Sequence, residues 1–128
     1  MTSTLVRVPG LSPTPYAYAA IADRLVFTAG ACPLDGDGAT VAPGNIEAQA
    51  EQVMTNLHAV LLAAGASLGD VVKSTVYVAT GQRDDLVTAW NVVRRHFGEH
   101  DAPSTLLGVT VLGYPDQLVE VEVVAAIS

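Results

Sequence analysis

The sequence contains a single cysteine, Cys32, among its 128 residues. One cysteine cannot form a disulfide within the chain, and the N-terminus does not resemble a basic segment followed by an apolar core and a cleavage site. We therefore expect a cytoplasmic protein. The uncharged apolar runs fall well short of the roughly 20 residues that a membrane-spanning helix needs, so the sequence predicts no membrane segment.

Positive charge is also scarce. Thirteen acidic residues outnumber six basic ones, which gives a formal net charge of −7 at pH 7. The basic residues are scattered along the chain, and only Arg94 and Arg95 are adjacent. A negative protein without a grouped basic surface repels phosphate backbones, so the sequence argues against a nucleic-acid partner.

Length and composition indicate one domain over residues 1–128. Half of the residues are hydrophobic and 15% are charged, which excludes intrinsic disorder. A folded chain of this size buries roughly two thirds of the surface that it exposes when unfolded. A hydrophobic core can therefore form without disulfides or metal ions, and we expect no cofactor.

Runs of β-branched and apolar residues between turn signals predict strands, and the predicted order of elements is β, β, α, β, α, β, β. Two helices cannot cover both faces of such a sheet, so we expect an α+β domain with both helices on one face. The other face is expected to be apolar and covered by another subunit. The predicted strands span residues 5–8, 24–29 (beginning as early as 18), 71–78, 105–112 and 117–127.

Two segments carry apolar residues at intervals of three and four, which predicts amphipathic helices. Residues that favour helix termini flank both segments. The expected boundary residues are Asn45, Ile46 and Gly65 for the first helix, and Asp84 or Asp85 and Gly98 for the second.

Glu120 and Glu122 are acidic residues within an otherwise apolar final strand. Side chains alternate along a strand, so both carboxylates are expected on one face, about 7 Å apart. Two interpretations remain open. The pair lies on a solvated sheet face, or it forms part of a ligand site where neighbouring groups perturb its ionisation.

Other candidate residues have ordinary structural explanations. Cys32 follows the strand that ends at Gly30, and a small packed thiol is expected there in preference to a nucleophile. Tyr16 flanks a loop, where a phenol either packs or lines a pocket. Gly98 interrupts the helix between His96 and His100, which argues against a metal pair.

Several segments together resemble the YjgF/RidA family, also called the L-PSP endoribonuclease-like family, over roughly residues 16–126. The resemblance implies a chorismate-mutase-like α+β fold with about six strands in a mixed sheet. It also implies a homotrimer with a small-molecule cleft between subunits. The matching segments are Pro15-Tyr16, TAGACPLD at 28–35, the helix at 48–65, GDVVK at 69–73, HFGEH at 96–100 and LVEVE at 118–122.

The resemblance further implies hydrolysis of reactive imines and enamines to a 2-oxo acid and ammonia. In the family, an arginine clamps the substrate carboxylate and a glutamate positions or activates water. Glu120 matches that glutamate and is the implied catalytic residue. The substrate-binding positions that the resemblance implies are Tyr16, Gly30, Ala31, Cys32, Trp90 and Thr105.

This chain departs from the family pattern at three positions. Thr105 stands where the arginine is expected, Ala29 where a serine is expected, and Trp90 where an asparagine is often found. A threonine hydroxyl is one neutral donor, whereas a guanidinium binds a carboxylate bidentately. Unless Arg94 or Arg95 of a neighbouring subunit supplies a compensating cation, we expect a substrate preference that differs from that of the family.

Three functions therefore follow from the sequence. The first is a hydrolase of the deaminase type with a non-standard substrate. The second is a non-catalytic trimer that binds or senses a small metabolite. The third is an endoribonuclease, which the family's older name implies and the negative charge disfavours.

Overall fold

A computed structural model of the chain describes residues 3–128, which form a six-stranded mixed sheet and two helices. The expected α+β class is confirmed. The sheet order is β1-β2-β3-β6-β4-β5, with β4 and β5 parallel and the other pairs antiparallel. The strands are β1 (Ser3–Val6), β2 (Ala19–Ala22), β3 (Leu25–Thr28), β4 (Val71–Ala79), β5 (Ser104–Val109) and β6 (Val119–Ala126), and the helices are α1 (Ile46–Ala63) and α2 (Arg83–Phe97).

The segment predicted as one strand from residue 18 onward is a hairpin of two strands. β2 and β3 pair through a tight turn in which Asp23 adopts a positive φ of 56°. Aspartate tolerates this left-handed conformation better than most residues, because its short side chain bonds to nearby backbone. The β-forming residues on both sides of Asp23 and Arg24 concealed the turn, and residues 3–128 therefore contain six strands where the pattern of β-forming residues predicted five.

The ends of α1 agree with the sequence prediction. The Asn45 side chain accepts a hydrogen bond from the Ala48 backbone N–H at 2.9 Å, as an N-cap does. Gly65 follows the helix with a φ of 81°. A glycine here lets the chain turn away without the penalty that a Cβ would bring.

The predicted cap of α2 was wrong. The N-cap position is Gln82, so Asp84 and Asp85 lie inside the first turn. The Thr80 hydroxyl accepts a hydrogen bond from the Gln82 N–H at 3.0 Å and donates one to the Asp85 carboxylate at 2.6 Å. With these hydrogen bonds the helix has Gln82 as its N-cap, two residues before Asp84, the first of the two caps that the sequence predicted. Gly98 ends the helix, as expected.

The two faces of the sheet differ in their cover. Alternate β6 residues, among them Val119 and Val121, are fully buried beneath the helices. α1 packs on β6 and on α2, and α2 packs on β4 and β5, so both helices lie on this face. No helix within residues 3–128 is long and apolar enough to cross a membrane.

The opposite face, which we call the open face, carries apolar side chains that the chain itself does not cover. Leu5 is 65% exposed, Phe27 44% and Leu107 43%. The strand register places these side chains on the same side as Glu120 and Glu122. Large exposed apolar surface is typical of a surface that meets another molecule.

Candidate functional site

Glu120 lies in the middle of the sheet and is held by two donors. Its Oε1 accepts a hydrogen bond from Gln117 Nε2 at 3.0 Å and one from the Cys32 thiol at 3.3 Å. Gln117 is only 4% exposed, although its side chain is polar. The Glu120 carboxylate is therefore anchored against buried groups, and it does not belong to a freely solvated sheet face.

The segment after β3 places Gly30 directly against this carboxylate. Ala31 and Val121 exchange backbone hydrogen bonds of 2.7 and 3.2 Å, which extends the pairing with β6 beyond β3. A Cβ added at Gly30 would lie 2.5 Å from Glu120 Cδ and 2.7 Å from Cγ. Real Cβ atoms do not approach other atoms so closely. Glycine at this position therefore makes room for the Glu120 side chain.

If Glu120 is catalytic, as the family resemblance implies, substituting alanine for Gly30 should lower the rate of the reaction by roughly 100-fold, because the added methyl group must displace the carboxylate by about 1 Å. Steady-state kinetics of the purified variant measure the change. Gly81→Ala is the matched control, since a Cβ there would meet no atom within 4 Å. Equal kinetics for Gly30→Ala and the wild type would contradict the importance of this contact.

Four of the substrate-binding positions that the resemblance implies, Tyr16, Gly30, Ala31 and Cys32, line one small cavity. Asn56 of α1 holds the cavity wall in place, because its side-chain amide donates to the backbone carbonyl of Cys32 at 3.0 Å. The remaining lining residues are Leu11, Ser12, Tyr18, Leu34, Asn56 and Val60.

Two groups at this cavity hold their protons tightly. Burial, followed by a hydrogen bond with Tyr114 of 2.7 Å, raises the pKa of Tyr16 well above its usual range. Burial, followed by the negative charge of Glu120, raises the pKa of the Cys32 thiol to about 12. Both groups are neutral near pH 7. Cys32 is thus a protonated thiol that donates a hydrogen bond to Glu120, whereas the sequence predicted only a small packed thiol.

Glu122 lies on the same face as Glu120, as the alternation predicted, but it has a different partner. The Tyr77 hydroxyl donates to Glu122 Oε1 at 2.6 Å. This bond is the main reason that the pKa of Tyr77 is raised to about 12. The two carboxylates are therefore separately engaged, and only Glu120 borders the cavity residues Gly30 and Cys32.

Thr105 is accompanied by a cation. Lys73 Nζ donates a hydrogen bond of 2.6 Å to Thr105 Oγ1 from the neighbouring strand. The sequence pointed only to Arg94 or Arg95 of a neighbouring subunit as a replacement cation, and the structure adds Lys73 at this position. An ammonium still differs from a guanidinium, since it is a point charge without a bidentate donor pair. Arg95 does not fill the place within one chain, because it bonds to Glu51 at 2.9 Å.

Thr105 and Trp90 lie away from the cavity within a single chain. Glu120 is paired with Tyr77 and Thr105 with Thr75, two residues earlier on β4. From strand spacing and rise, the Cα atoms of Glu120 and Thr105 are roughly 12 Å apart. Trp90 is on α2 and lines a separate cavity with Arg94, Phe97, His100, Asp101 and Ala102.

The two histidines with helical spacing point to different partners. His96 Nε2 is 2.8 Å from a Glu51 carboxylate oxygen, and His100 Nε2 is 2.7 Å from the Val71 carbonyl. The hydrogen bond with His96 is the main cause that lowers the pKa of Glu51. Among residues 3–128, no group of three or more potential ligands is placed to hold a metal ion.

Sequence reasoning missed Gln117 and Lys73. Gln117 precedes Glu120 by three residues, at the end of a turn, and no periodic pattern marks it as buried. Lys73 lies on a predicted strand, where a single basic residue is unremarkable. Neither residue can be placed next to its partner until the register of the strands in the sheet is known.

Comparisons with known proteins give consistent matches along the chain. Residues 10–127 match the family model described as Endoribonuclease L-PSP. A RutC family protein from Synechocystis, slr0709, is 39% identical over 115 residues, which cover 88% of this chain and 86% of that protein.

Two further relatives carry functional names. TdcF from Escherichia coli, provisionally named a reactive intermediate deaminase, is 33% identical over 124 residues, covering 93% of this chain and 91% of TdcF. The crystal structure of TdcF with bound serine has a TM-score of 0.84 and 27% identity, and the match covers 98% of this chain and 99% of TdcF. A 2-iminobutanoate/2-iminopropanoate deaminase from Bos taurus is 32% identical over 83 residues, or 65% of this chain and 59% of that protein.

Proposed function

Because the chain belongs to the Endoribonuclease L-PSP family, which confirms the YjgF/RidA resemblance, we propose that it hydrolyses small imines and enamines to a carbonyl compound and ammonia. The observation that carries this proposal is the Glu120 carboxylate, anchored through Oε1 beside the cavity residues Gly30 and Cys32. The deaminase names of two relatives support the same reaction class.

The reaction needs a base that takes a proton from water. Glu120 takes a proton from water as the water oxygen adds to the carbon of the C=N bond, and it gives that proton to the nitrogen, which yields a carbinolamine. Glu120 then takes the proton of the new hydroxyl group and transfers it to the nitrogen, so that the C–N bond breaks as the C=O bond forms and ammonia leaves. General acid–base catalysis of this kind contributes about 100-fold to 10,000-fold in rate.

Substrate preference is set, in this proposal, by the pair formed by Thr105 and Lys73. A hydroxyl and an ammonium 2.6 Å apart offer hydrogen bonds and one positive charge to an anion. They lack the two parallel donors of a guanidinium, so a carboxylate is held less firmly. We therefore propose that 2-imino acids bind weakly and that neutral or differently anchored imines are favoured.

A homotrimer with clefts between subunits completes the proposal. The Cα atoms of Glu120 and Thr105 are roughly 12 Å apart in one chain, and Thr105 does not line the cavity that contains Gly30 and Cys32. In this proposal the two side chains meet one substrate across a cleft between subunits. The apolar open face supports the association, because its exposed leucine and phenylalanine side chains need cover.

Sedimentation or light scattering is expected to give a mass three times the 13.2 kDa of the chain. Phe27→Glu, on the open face, is expected to dissociate the assembly and abolish turnover, because it buries an unpaired charge. Leu62→Glu is the matched control, since Leu62 is 58% exposed on α1, on the helical side of the sheet. A monomeric wild-type protein would contradict the cleft between subunits.

The direct test of function supplies freshly generated 2-aminoacrylate and a carboxyl-free imine, and follows ammonia release. Release faster than the spontaneous reaction is the expected result, with the carboxyl-free imine as the better substrate. Ammonia release at the spontaneous rate with both substrates would contradict the proposal. If a metabolite then remained bound through purification, the protein would be a binding trimer.

A further inference from the structure

We propose that Gln117 and Cys32 are positioning residues that occupy Oε1 of Glu120 and so select Oε2 as the oxygen that takes the proton from water. The inference rests on the proposed function for its kinetic consequences. The contacts that carry it lie within a single chain and do not depend on the assembly.

The orientation of the Gln117 amide is determined by three hydrogen bonds. Its Oε1 accepts from the Tyr114 backbone N–H at 3.1 Å, while its Nε2 donates to the Val119 carbonyl at 3.1 Å and to Glu120 at 3.0 Å. If the amide oxygen and nitrogen were exchanged, the oxygen would face the Val119 carbonyl and the Glu120 carboxylate, which are both acceptors. The nitrogen would then face the backbone N–H of Tyr114, which is a donor. The buried amide therefore presents an N–H to the carboxylate in one orientation only.

Cys32 supplies the second donor. Its sulfur lies 3.3 Å from Glu120 Oε1 and 3.3 Å from the Gly30 carbonyl, and one S–H hydrogen can serve only one of them at a time. The ionised carboxylate is the stronger acceptor of the two. The raised pKa of the thiol agrees with this assignment, because the sulfur keeps the proton that it donates.

Both donors contact the same carboxylate oxygen, which distinguishes the two oxygens of Glu120. Oε2 is the atom that a Cβ at Gly30 would strike first, so it faces the glycine. Gly30 also lines the small cavity. Each carboxylate oxygen has two lone-pair positions. The two donors fill both lone-pair positions of Oε1, so the proton from water is accepted by Oε2.

Removing either donor is expected to affect kcat more than KM. The terminal torsion of glutamate has broad minima, so an unrestrained carboxylate rotates and presents its oxygens in varied directions. Hydrogen bonds to charged groups are strong enough that Gln117→Met should lower kcat about tenfold to 100-fold. KM should change by less than roughly twofold, because the contacts that bind the substrate equally in the ground state and the transition state are retained.

A pair of cysteine variants separates hydrogen bonding from packing. Cys32→Ala removes the donor and should lower kcat about tenfold. Cys32→Ser keeps a hydroxyl donor at the same position and should restore most of that loss. Equal losses for alanine and serine, or no loss for either, would overturn the assignment of Cys32.

A labelling experiment tests the contact independently of turnover. Since the charge of Glu120 contributes to the raised pKa of the Cys32 thiol, Glu120→Gln should increase the iodoacetamide labelling rate of the folded protein at pH 8 by tenfold or more. Labelling in denaturant should be equal for the two proteins. An unchanged rate in the folded variant would overturn the contact, whereas missing deaminase activity with faster labelling would contradict only the proposed function.

Discussion

Glu120→Gln is expected to lower kcat for ammonia release from a small imine by about 100-fold to 10,000-fold. The amide has nearly the same size as the carboxylate, and its oxygen can still accept the hydrogen bonds from Gln117 and Cys32. It cannot take a proton from water at neutral pH. The loss therefore measures the role of Glu120 as a base rather than its role in packing.

Glu122→Gln is the matched control for this experiment. Glu122 is on the same strand and the same face, two residues further along, and its carboxylate is bonded to Tyr77. We expect its effect on kcat to stay within roughly threefold, because the Glu122 carboxylate is bonded to Tyr77 and does not border Gly30 or Cys32. Similar losses for both variants would indicate that the charge of this face matters, and would contradict the specific role of Glu120.

Thr105→Arg is expected to raise kcat/KM for 2-aminoacrylate-derived 2-imino acids by at least about tenfold, mainly through a lower KM. A guanidinium in place of the hydroxyl can bind the carboxylate through two parallel hydrogen bonds. Truncating one partner of a hydrogen-bonded charge pair that is removed from water typically costs roughly 2 to 5 kcal/mol, and about 1.4 kcal/mol corresponds to a factor of ten. The gain should be confined to substrates that carry a carboxylate.

Lys73→Met provides the opposite change at the same place. Removing the ammonium beside Thr105 should raise KM for 2-imino acids and leave a carboxyl-free imine unaffected within roughly twofold. Parallel kinetics on the two substrates distinguish an effect on carboxylate binding from a general loss of folded protein. A gain for Thr105→Arg on both substrates would show that position 105 acts through something other than charge.

The parts of this protein that follow from local sequence are those whose signals repeat over short distances. The intervals of three and four in α1, with Asn45 before it and Gly65 after it, determine that helix and its ends. Alternation along β6 determines that Glu120 and Glu122 share a face. The family resemblance carried by the motif around Gly30 and by the position of Glu120 was enough to name candidate site residues.

Neighbours across the sheet required the folded chain. The order β3-β6-β4-β5 places the last strand of the sequence between earlier ones, and it brings Cys32 to Glu120 across 88 residues and Lys73 to Thr105 across 32. Local propensity carries no information about such pairs, because side chains far apart in sequence meet only when the strands take one register. The sequence thus established the fold class and singled out Glu120 as the candidate catalytic residue. Tertiary pairing established which donors hold the Glu120 carboxylate and which cation stands beside Thr105.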